Sequence, residues 1–350
     1  MINSREYFAS ENFHASLLDL SKKAGLPTEF GLKPLKGGRN NRVFCFDYEN
    51  GAKALLKAYF QHSMDTRDRL KAEYSFIRFA WDKVKCVPKT IAADFQNKLG
   101  LYEFIDGRRL SQTDINENKI KEALDFFIKI NKHKNTEEAK NLQIASEACF
   151  SIKEHMDTVN KRIEKLKKIK GESEADKKAM FFINNELSEK WNKTLKHIYN
   201  CIDKFKLNSN EKISNNETCI SPSDFGFHNA ILNKNNKLIF IDFEYAGWDD
   251  PAKMVCDFFC QPEVQVPLKY FNLFVKIVGN NTPNPEKLKH RILTLLPLYK
   301  IKWCCILLNE FLDVSSERRN FAYGKTDFDM IKLEQLRKAK KYLESDKFIK

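Results

Sequence analysis

The chain lacks several patterns that would assign it to a common class of protein. Its 350 residues contain no uninterrupted apolar run long enough to span a bilayer, and the N-terminus has no apolar segment typical of a signal peptide. No G-x-x-x-x-G-K-[ST] motif is present, which argues against a P-loop nucleotide site. Internal repeats and low-complexity segments are also missing. We therefore expect a cytoplasmic protein without a membrane span.

Cysteine is present, but without the spacing of a metal site. No Cys-x-x-Cys pair has a partner pair among the nine cysteines, which argues against structural zinc. Cys256 and Cys260 lie one helical turn apart, and Cys304 and Cys305 are adjacent within an apolar run. The odd number and the apolar neighbours indicate reduced, buried thiols of the kind found in the cytoplasm.

The charge is basic but carries no nucleic-acid motif. Lys and Arg total 60 against 47 Asp and Glu, a net charge of +13, and the two signs are mixed along the chain. Such a balance fits phosphate binding or weak attraction to polyanions and establishes neither. The aromatic residues fall at core periods, so we expect no specific nucleic-acid partner. The length is sufficient for two lobes, each with its own core.

The most informative stretch is residues 219–258. Two short apolar runs, residues 230–232 and 238–241, flank a polar turn and predict a β-hairpin. Asp224 and Asn229 come just before the first run, while Asp242 and Glu244 come just after the second. A hairpin brings its two ends side by side. We therefore expect Asp224, Asn229 and Asp242 to converge at one rim.

This arrangement has a known chemical use in phosphoryl transfer. An Asp, an Asn five residues later and an Asp after a hairpin serve kinases as base and magnesium ligands. Carboxylate and amide oxygens suit Mg²⁺, which is a hard cation. On this motif alone, a surface hairpin with incidental polar residues remains an alternative, because Asp and Asn are common at turns.

A second register for the same motif can be rejected. Residues 224–226 spell the kinase D-F-G, and Asp203 with Asn208 has the same spacing upstream. That register requires a hairpin over residues 209–223, where no paired apolar runs occur.

The accepted register resembles the aminoglycoside phosphotransferase and choline kinase family of small-molecule kinases. Asp224 and Asn229 have the spacing of the family's H-G-D-x-x-x-x-N motif, and residues 241–244 match its I-D-F/W-E motif. One departure is that Pro222 stands where the family has His. The resemblance extends over roughly residues 30–320. It implies an α+β, bilobal, protein-kinase-like fold with Asp224 as catalytic base and with Asn229 and Asp242 as Mg²⁺ ligands.

The N-terminal part fits the same resemblance. Gly37, Gly38, Asn41 and Phe44 match the family's G-G-x-x-N-x-x-F loop, which covers the nucleotide. Strands are predicted over residues 42–48 and 52–59, because Asn50-Gly51 between them is a strong hairpin signal.

Two residues in this part are candidates for holding phosphates. Lys57 lies in the second strand and matches the family's nucleotide-binding Lys, whose ammonium neutralises phosphate charge. Glu73 lies sixteen residues later in a predicted helix over residues 64–81, where we expect it to pair with Lys57. Glu103 and Ile105 end a strand that, in the family, leads into the hinge where backbone groups contact the base.

The resemblance and the helical patterns predict two domains. We expect a small antiparallel-sheet lobe that binds nucleotide over residues 1–105. Residues 106–350 should form a mostly helical lobe that holds the catalytic and acceptor-binding groups. A charged helical hairpin is predicted over residues 150–206 as an insertion. The last helix, residues 327–342, reads as a polar surface element. Possible acceptor contacts are Glu244, Trp303 and Glu310.

The expected reaction is Mg²⁺-dependent transfer of the γ-phosphoryl group of ATP or GTP to a small-molecule hydroxyl. No A-P-E activation segment follows Asp242, which argues against a protein substrate. Residues 260–320 carry more basic than acidic side chains, which argues against an aminoglycoside-modifying kinase. A sugar, amino sugar or amino alcohol is the preferred acceptor. A catalytically weak nucleotide-binding scaffold is the alternative. Neither nucleotide choice nor oligomeric state follows from the sequence.

Overall fold

The computed structural model describes residues 10–35, 41–62, 65–312 and 328–345. They divide into two compact units. The first unit holds the described residues up to Arg108 together with Ile231–Glu244. The second unit holds Arg109–Ala230 and the described residues from Tyr245 onward.

The first unit is built on a five-stranded sheet of order β1-β2-β3-β5-β4, in which every pairing is antiparallel. Its strands are β1 (Phe30–Pro34), β2 (Arg42–Tyr48), β3 (Lys53–Ala58), β4 (Thr90–Asp94) and β5 (Leu99–Glu103). Its helices are α1 (Glu11–Lys23) and α2 (Arg69–Val84). The strands predicted over residues 42–48 and 52–59 and the helix predicted over residues 64–81 are confirmed as β2, β3 and α2, whereas β1 was not predicted.

The core of this unit forms where α1 meets the sheet. Phe13, Leu17 and Leu20 recur along one face of α1 and pack against buried sheet residues, including Phe46 and Leu56. Ser10 caps α1 by accepting a hydrogen bond from the Phe13 N–H (3.2 Å). Burial of these apolar side chains is the main term that holds the helix on the sheet.

A second, three-stranded sheet of order β6-β8-β9 contains the predicted hairpin. Its strands are β6 (Gly107–Arg109), β8 (Ala230–Asn233) and β9 (Leu238–Phe240). Only glycine fits at position 107 without a steric clash, because a Cβ there would lie 2.3 Å from the Leu232 carbonyl oxygen. The hairpin is pinned at its far strand by a hydrogen bond from the Phe240 N–H to the Cys86 carbonyl (2.8 Å).

The second unit is mostly helical. Its helices are α3 (Glu117–Lys132), α4 (Glu137–Lys140), α5 (Ile152–Leu166), α6 (Glu174–Phe182), α7 (Ser188–Phe205), α8 (Pro251–Cys260), α9 (Phe271–Gly279), α10 (Pro285–Leu307) and α11 (Phe328–Glu344). Two short strands, β7 (Cys219–Ser221) and β10 (Gly247–Asp249), pair antiparallel. The predicted helical hairpin is present as α5 to α7, with a π-helical turn at Ile183–Leu187.

Helix α10 is the centre of this unit, and α5, α7, α8, α9 and α11 pack against it. Pro297 lies inside α10, which continues through it. The segment Pro285–Phe311 is long and apolar enough to cross a membrane by composition, but 83% of its most apolar window is buried inside the protein. That burial is typical of the core helix of a globular domain.

The N-cap of α3 is Asn116, and Ser111 is the N-cap of the 3-10 turn that precedes it. One prediction from the sequence is wrong. The final helix is not a surface element only, because Leu336, Ala339 and Leu343 are buried and the helix packs on α10. All nine cysteines lie in the described residues and none forms a disulfide; eight are buried and Cys86 is half-buried.

Candidate active site

The first unit contains a buried ammonium held between two carboxylates. The Lys57 Nζ lies 2.7 Å from Glu73 Oε2 and 2.5 Å from Asp242 Oδ1. Strand β3 supplies Lys57, helix α2 supplies Glu73, and Asp242 follows β9. The Lys57 and Glu73 side chains are 9% and 5% exposed, whereas Asp242 is 38% exposed. The structure thus brings three of the predicted residues together.

Electrostatics keep this ammonium charged. Burial by itself disfavours the charged form of Lys57, but the carboxylates of Asp242, Glu73 and Glu244 outweigh it and raise its pKa well above the ordinary value. Burial also raises the pKa of Glu73, against the opposing effect of Lys57. A fixed, protonated lysine of this kind can neutralise bound phosphate.

Glu73 and Asp242 are positioned by further contacts. Glu73 also accepts hydrogen bonds from the Tyr59 hydroxyl (2.7 Å) and from the Phe243 N–H (3.3 Å). The Phe243 ring stacks on Phe76 of α2, with centroids 4.7 Å apart. Asp242 itself has a φ of 68°, a left-handed conformation that Asp tolerates better than most residues. The D-F-E sequence is therefore anchored on α2 by its middle residue.

Glu244, predicted as a possible acceptor contact, is buried in the same unit. Its side chain is 1% exposed and its Oε2 accepts a hydrogen bond from the Asn41 amide (2.7 Å). The Arg69 Nε lies 3.7 Å from the same oxygen, and the Asn41 amide oxygen accepts from the Phe60 N–H (3.1 Å). This burial argues against direct contact between Glu244 and an acceptor, and its carboxylate instead contacts Asn41 and Arg69.

The second unit contains the other half of the motif. The Asn229 amide nitrogen donates to the Asp224 carbonyl (3.0 Å) and to Asp224 Oδ2 (3.1 Å). The His228 Nε2 lies 3.2 Å from Asp224 Oδ1. A 3-10 turn, Phe227–Asn229, places His228 and Asn229 back toward Asp224. The Asp224 side chain is 30% exposed, so its carboxylate is accessible.

The environment favours the carboxylate form of Asp224. Burial opposes ionisation, but His228, Lys302 and the hydrogen bond from Asn229 outweigh it, so the pKa of Asp224 lies below its ordinary value. An ionised carboxylate can accept a proton from a hydroxyl.

Behind Asp224 lies a buried network centred on Asp257 of α8. Its carboxylate accepts from the Lys302 Nζ at 2.8 and 2.9 Å, and from the Trp303 Nε1 at 2.9 Å. The Trp303 ring meets His228 edge-on, with centroids 6.0 Å apart. Trp303, predicted as an acceptor contact, is thus connected through His228 to Asp224. Glu310, the other such candidate, is 7% exposed in the 3-10 turn Leu308–Phe311.

The remaining predicted residues are less informative. Gly37 and Gly38 lie outside the described residues. Glu103 ends β5, where its carboxylate accepts from the Lys89 N–H (3.0 Å), and Ile105 is half-buried in the following loop. Convergence of Asp242 with Asp224 and Asn229 remains a prediction, because these residues belong to different units.

Three polar residues of the second unit were missed from the sequence. His228 lies within the motif and was signalled only by its position between Asp224 and Asn229. Lys253 and Lys302 lie in largely apolar helices, where sequence alone does not show which cations are buried with a partner. In the described part of the chain, no group of three or more His, Cys, Asp and Glu side chains could hold a metal ion.

Comparisons with known structures show the same fold. An ethanolamine kinase from Plasmodium vivax matches with a TM-score of 0.55 at 16% identity, over 96% of this chain and 92% of its own. A choline kinase from Cryptosporidium parvum matches with a TM-score of 0.57 at 15% identity, over 95% and 96%. A spectinomycin phosphotransferase, solved with ADP and spectinomycin, matches with a TM-score of 0.56 at 13% identity, over 92% and 98%. The predicted kinase-like α+β fold is confirmed.

Sequence comparison gives the family. No curated protein matches the chain significantly. The sequence model for choline/ethanolamine kinase, in contrast, matches residues 32–322, which is most of the chain. Kinases of this family use a nucleotide as phosphoryl donor and an alcohol as acceptor. The chain therefore belongs to the choline/ethanolamine kinase family and is a small-molecule kinase.

Proposed function

We propose that the protein transfers the γ-phosphoryl group of ATP or GTP, with Mg²⁺, to the hydroxyl of a small amino alcohol. The observation that carries this proposal is the buried Lys57 ammonium fixed between Glu73 and Asp242. Residues 1–105 would form the nucleotide-binding lobe, and residues 106–350 the catalytic and acceptor-binding lobe. Residues Ile231–Glu244 would add Asp242 to the nucleotide side.

The proposed nucleotide contacts follow from charge and position. Lys57 would neutralise phosphate oxygens, because its position is fixed by Glu73 and its charge is maintained by the neighbouring carboxylates. The Gly37-Gly38 segment would cover the phosphates. The backbone near Glu103 and Ile105 would contact the base.

The proposed metal ligands suit a hard cation. Asn229 uses its amide nitrogen on Asp224, which leaves the amide oxygen as the group that can bind Mg²⁺. Asp242 is the more exposed carboxylate of its cluster and presents oxygen to the same kind of ion. When bound, Mg²⁺ would neutralise charge on the phosphates.

Asp224 is the proposed base. Its carboxylate is ionised, partly exposed and oriented by two neighbours, Asn229 and His228. A carboxylate held in this way can orient an acceptor hydroxyl and accept its proton as the phosphoryl group is transferred. Positioning of the two reactants, more than basicity, would supply most of the rate.

An amino alcohol is preferred to a sugar as acceptor because the family is that of choline and ethanolamine kinases. Two of the similar structures are named as kinases of these two compounds. Trp303 and Glu310 are the proposed acceptor-side residues, since a tryptophan face and a carboxylate both attract ammonium groups. A sugar or an amino sugar would become the preferred class only if amino alcohols fail.

The test is phosphoryl transfer from labelled Mg·ATP and Mg·GTP. The acceptors are choline, ethanolamine, a set of sugars and amino sugars, and aminoglycosides. The controls are Asp224→Ala and Lys332→Met, which removes an ion pair to Asp176 between α11 and α6. Product with an amino alcohol that is lost in Asp224→Ala and kept in Lys332→Met supports the proposal. Product with another class corrects the acceptor. Nucleotide binding without any product would indicate a scaffold.

A further inference from the structure

The turn that carries Asp224 is strained. The Asp224 N–H donates to the Pro222 carbonyl (2.9 Å), and Ser223 between them has a φ of 65°. A hydrogen bond from residue i+2 to residue i, around a residue with positive φ, is the mark of the rare and strained form of the γ-turn. A non-glycine residue keeps such a conformation only when its surroundings hold it there.

Two contacts hold Ser223 in this turn. Its N–H donates to the Ser221 hydroxyl (3.0 Å), and its own hydroxyl accepts from the Lys253 Nζ (3.2 Å). Pro222 has no polar side-chain atom with which to brace the turn. The side-chain support from outside the loop therefore comes from Lys253.

Lys253 is itself fixed and charged. Its Nζ lies 2.6 Å from Asp249 Oδ2, and the two side chains are 2% and 0% exposed. Burial alone would disfavour the ammonium, but Asp249 and then Asp257 outweigh it and raise the pKa of Lys253. Asp249 is fixed in turn by the N–H groups of Cys149 (3.3 Å) and Asp250 (2.9 Å).

The local fold explains why this cation reaches the turn. Asp249 in β10 pairs with Cys219 in β7, the strand that leads into Ser221 and the turn. Asp250 is the N-cap of α8, so Lys253 lies in the first turn of that helix, four residues after Asp249. The ammonium is thereby placed between the end of β10 and the beginning of the Asp224 loop.

We propose that Lys253 is a positioning residue for Asp224: anchored on Asp249, it locks the strained turn at Ser223 that orients the Asp224 carboxylate. This inference rests on the proposed role of Asp224 as base. Lys253 acts through Ser223 and does not contact either substrate. A displaced carboxylate would lower turnover while leaving both binding sites intact.

The test is a double-mutant cycle of Ser223→Ala and Lys253→Met, assayed with Mg·ATP and the acceptor found active. Ser223→Ala keeps the buried Lys253–Asp249 pair and removes only the hydroxyl, so it should fold. We expect kcat to fall about 10-fold in Ser223→Ala and about 100-fold in Lys253→Met, the scale of a 1 Å misplacement. KM for nucleotide and acceptor should change less than about 3-fold. The double variant should be no slower than Lys253→Met.

Controls separate this inference from the proposed function. Lys332→Met removes another paired lysine of the second unit, far in sequence from the turn, and should keep kcat even where its melting temperature falls. An unchanged kcat in Ser223→Ala would overturn the role of Lys253. So would a double variant whose loss of kcat equals the product of the two single losses. Full activity in Asp224→Ala would instead overturn the assignment of the base.

Discussion

Replacing Lys57 by Met tests the buried charge cluster of the first unit. The substitution keeps a long apolar stem and removes the ammonium that lies 2.7 Å from Glu73 and 2.5 Å from Asp242. Asp242 is 38% exposed and can be solvated, so losing this contact should cost little. Glu73 is 5% exposed and cannot be solvated in the same way. The loss of its contact with Lys57 therefore determines the effect on stability.

The magnitude follows from what Glu73 retains. Its carboxylate keeps the hydrogen bonds from the Tyr59 hydroxyl and the Phe243 N–H. Removing one charge-assisted partner from a buried group costs roughly 2–3 kcal/mol. We therefore expect Lys57→Met to lower the free energy of unfolding by about that amount at neutral pH. Breaking a completely isolated buried pair would cost more.

The pH dependence of this deficit identifies its source. The pKa of Lys57 is raised in the folded protein, so its stabilising contribution is complete below its ordinary value of 10.5 and constant near neutrality. Burial raises the pKa of Glu73, and removing Lys57 raises it further. A raised carboxyl pKa destabilises the folded state progressively as the pH rises above the ordinary value of 4.5. The deficit should therefore be larger at about pH 8 than at about pH 5.

Urea unfolding at these two pH values measures the deficit. The control is Lys57→Met combined with Glu73→Gln, which leaves no buried charge uncompensated at this contact and should recover most of the lost stability. A deficit that is the same at both pH values would refute the reasoning. So would a double variant as unstable as the sum of its two single variants.

Three further substitutions test other parts of the structure. Asp242→Asn should weaken Mg²⁺-dependent nucleotide binding at least 10-fold, measured by calorimetry with and without Mg²⁺; unchanged binding would remove Asp242 from the proposed metal site. Leu336→Ala should lower the free energy of unfolding by about 2–4 kcal/mol, because this side chain of α11 is buried. An unchanged free energy of unfolding would show that α11 does not pack into the core. Gly107→Ala should destabilise the β6–β8 pairing, because the Cβ of the alanine would lie 2.3 Å from the Leu232 carbonyl oxygen. An unchanged melting temperature would show that the strands can separate without cost.

The sequence predicts regular elements where local signals agree with packing. Strands β2 and β3 were found because apolar β-formers flank Asn50-Gly51, and Gly51 indeed adopts a φ of 79°. Strand β1 was not predicted because it is only five residues long and contains Gly31 and Pro34, residue types that are depleted in strands, although Phe30 and Leu32 alternate along it. It becomes a strand by pairing with β2, in register from Phe30 opposite Tyr48 to Pro34 opposite Phe44. Such pairing is a tertiary effect that overrides local preference.

The final helix shows a different limit. Eight of its 17 residues are charged, which suggested a surface element. Leu336, Ala339 and Leu343 nevertheless recur at helical spacing and are buried against α10. A narrow apolar stripe is enough to dock a helix when its partner, as α10 does, buries most of its length in the core. The average polarity of a segment therefore says less about burial than the spacing of its few apolar residues.

For the candidate site, motif spacing indicated the proposed reacting groups but not their supports. Lys57 and Glu73 could be paired from their separation along the chain, and Asp224 and Asn229 from the motif. The support of Asp224 could not be found in this way, because Lys253 lies thirty residues after Ser223. A lysine is rarely buried without a partner, but the sequence does not show which lysines are buried.

In both units the candidate groups lie beside energetically unfavourable local structure, namely left-handed backbone and a buried charge. In the first unit Asp242 has a left-handed φ of 68° beside a buried ammonium; in the second, Ser223 has a φ of 65° beside another. Strained backbone persists only where surrounding contacts over-determine it, and buried ion pairs are weak sources of net stability. Because these features contribute little to folding, the better account is that they fix the direction of charged groups in advance. Phosphoryl transfer depends mainly on positioning and on fixed charge, which is what a locked lysine and an oriented carboxylate provide.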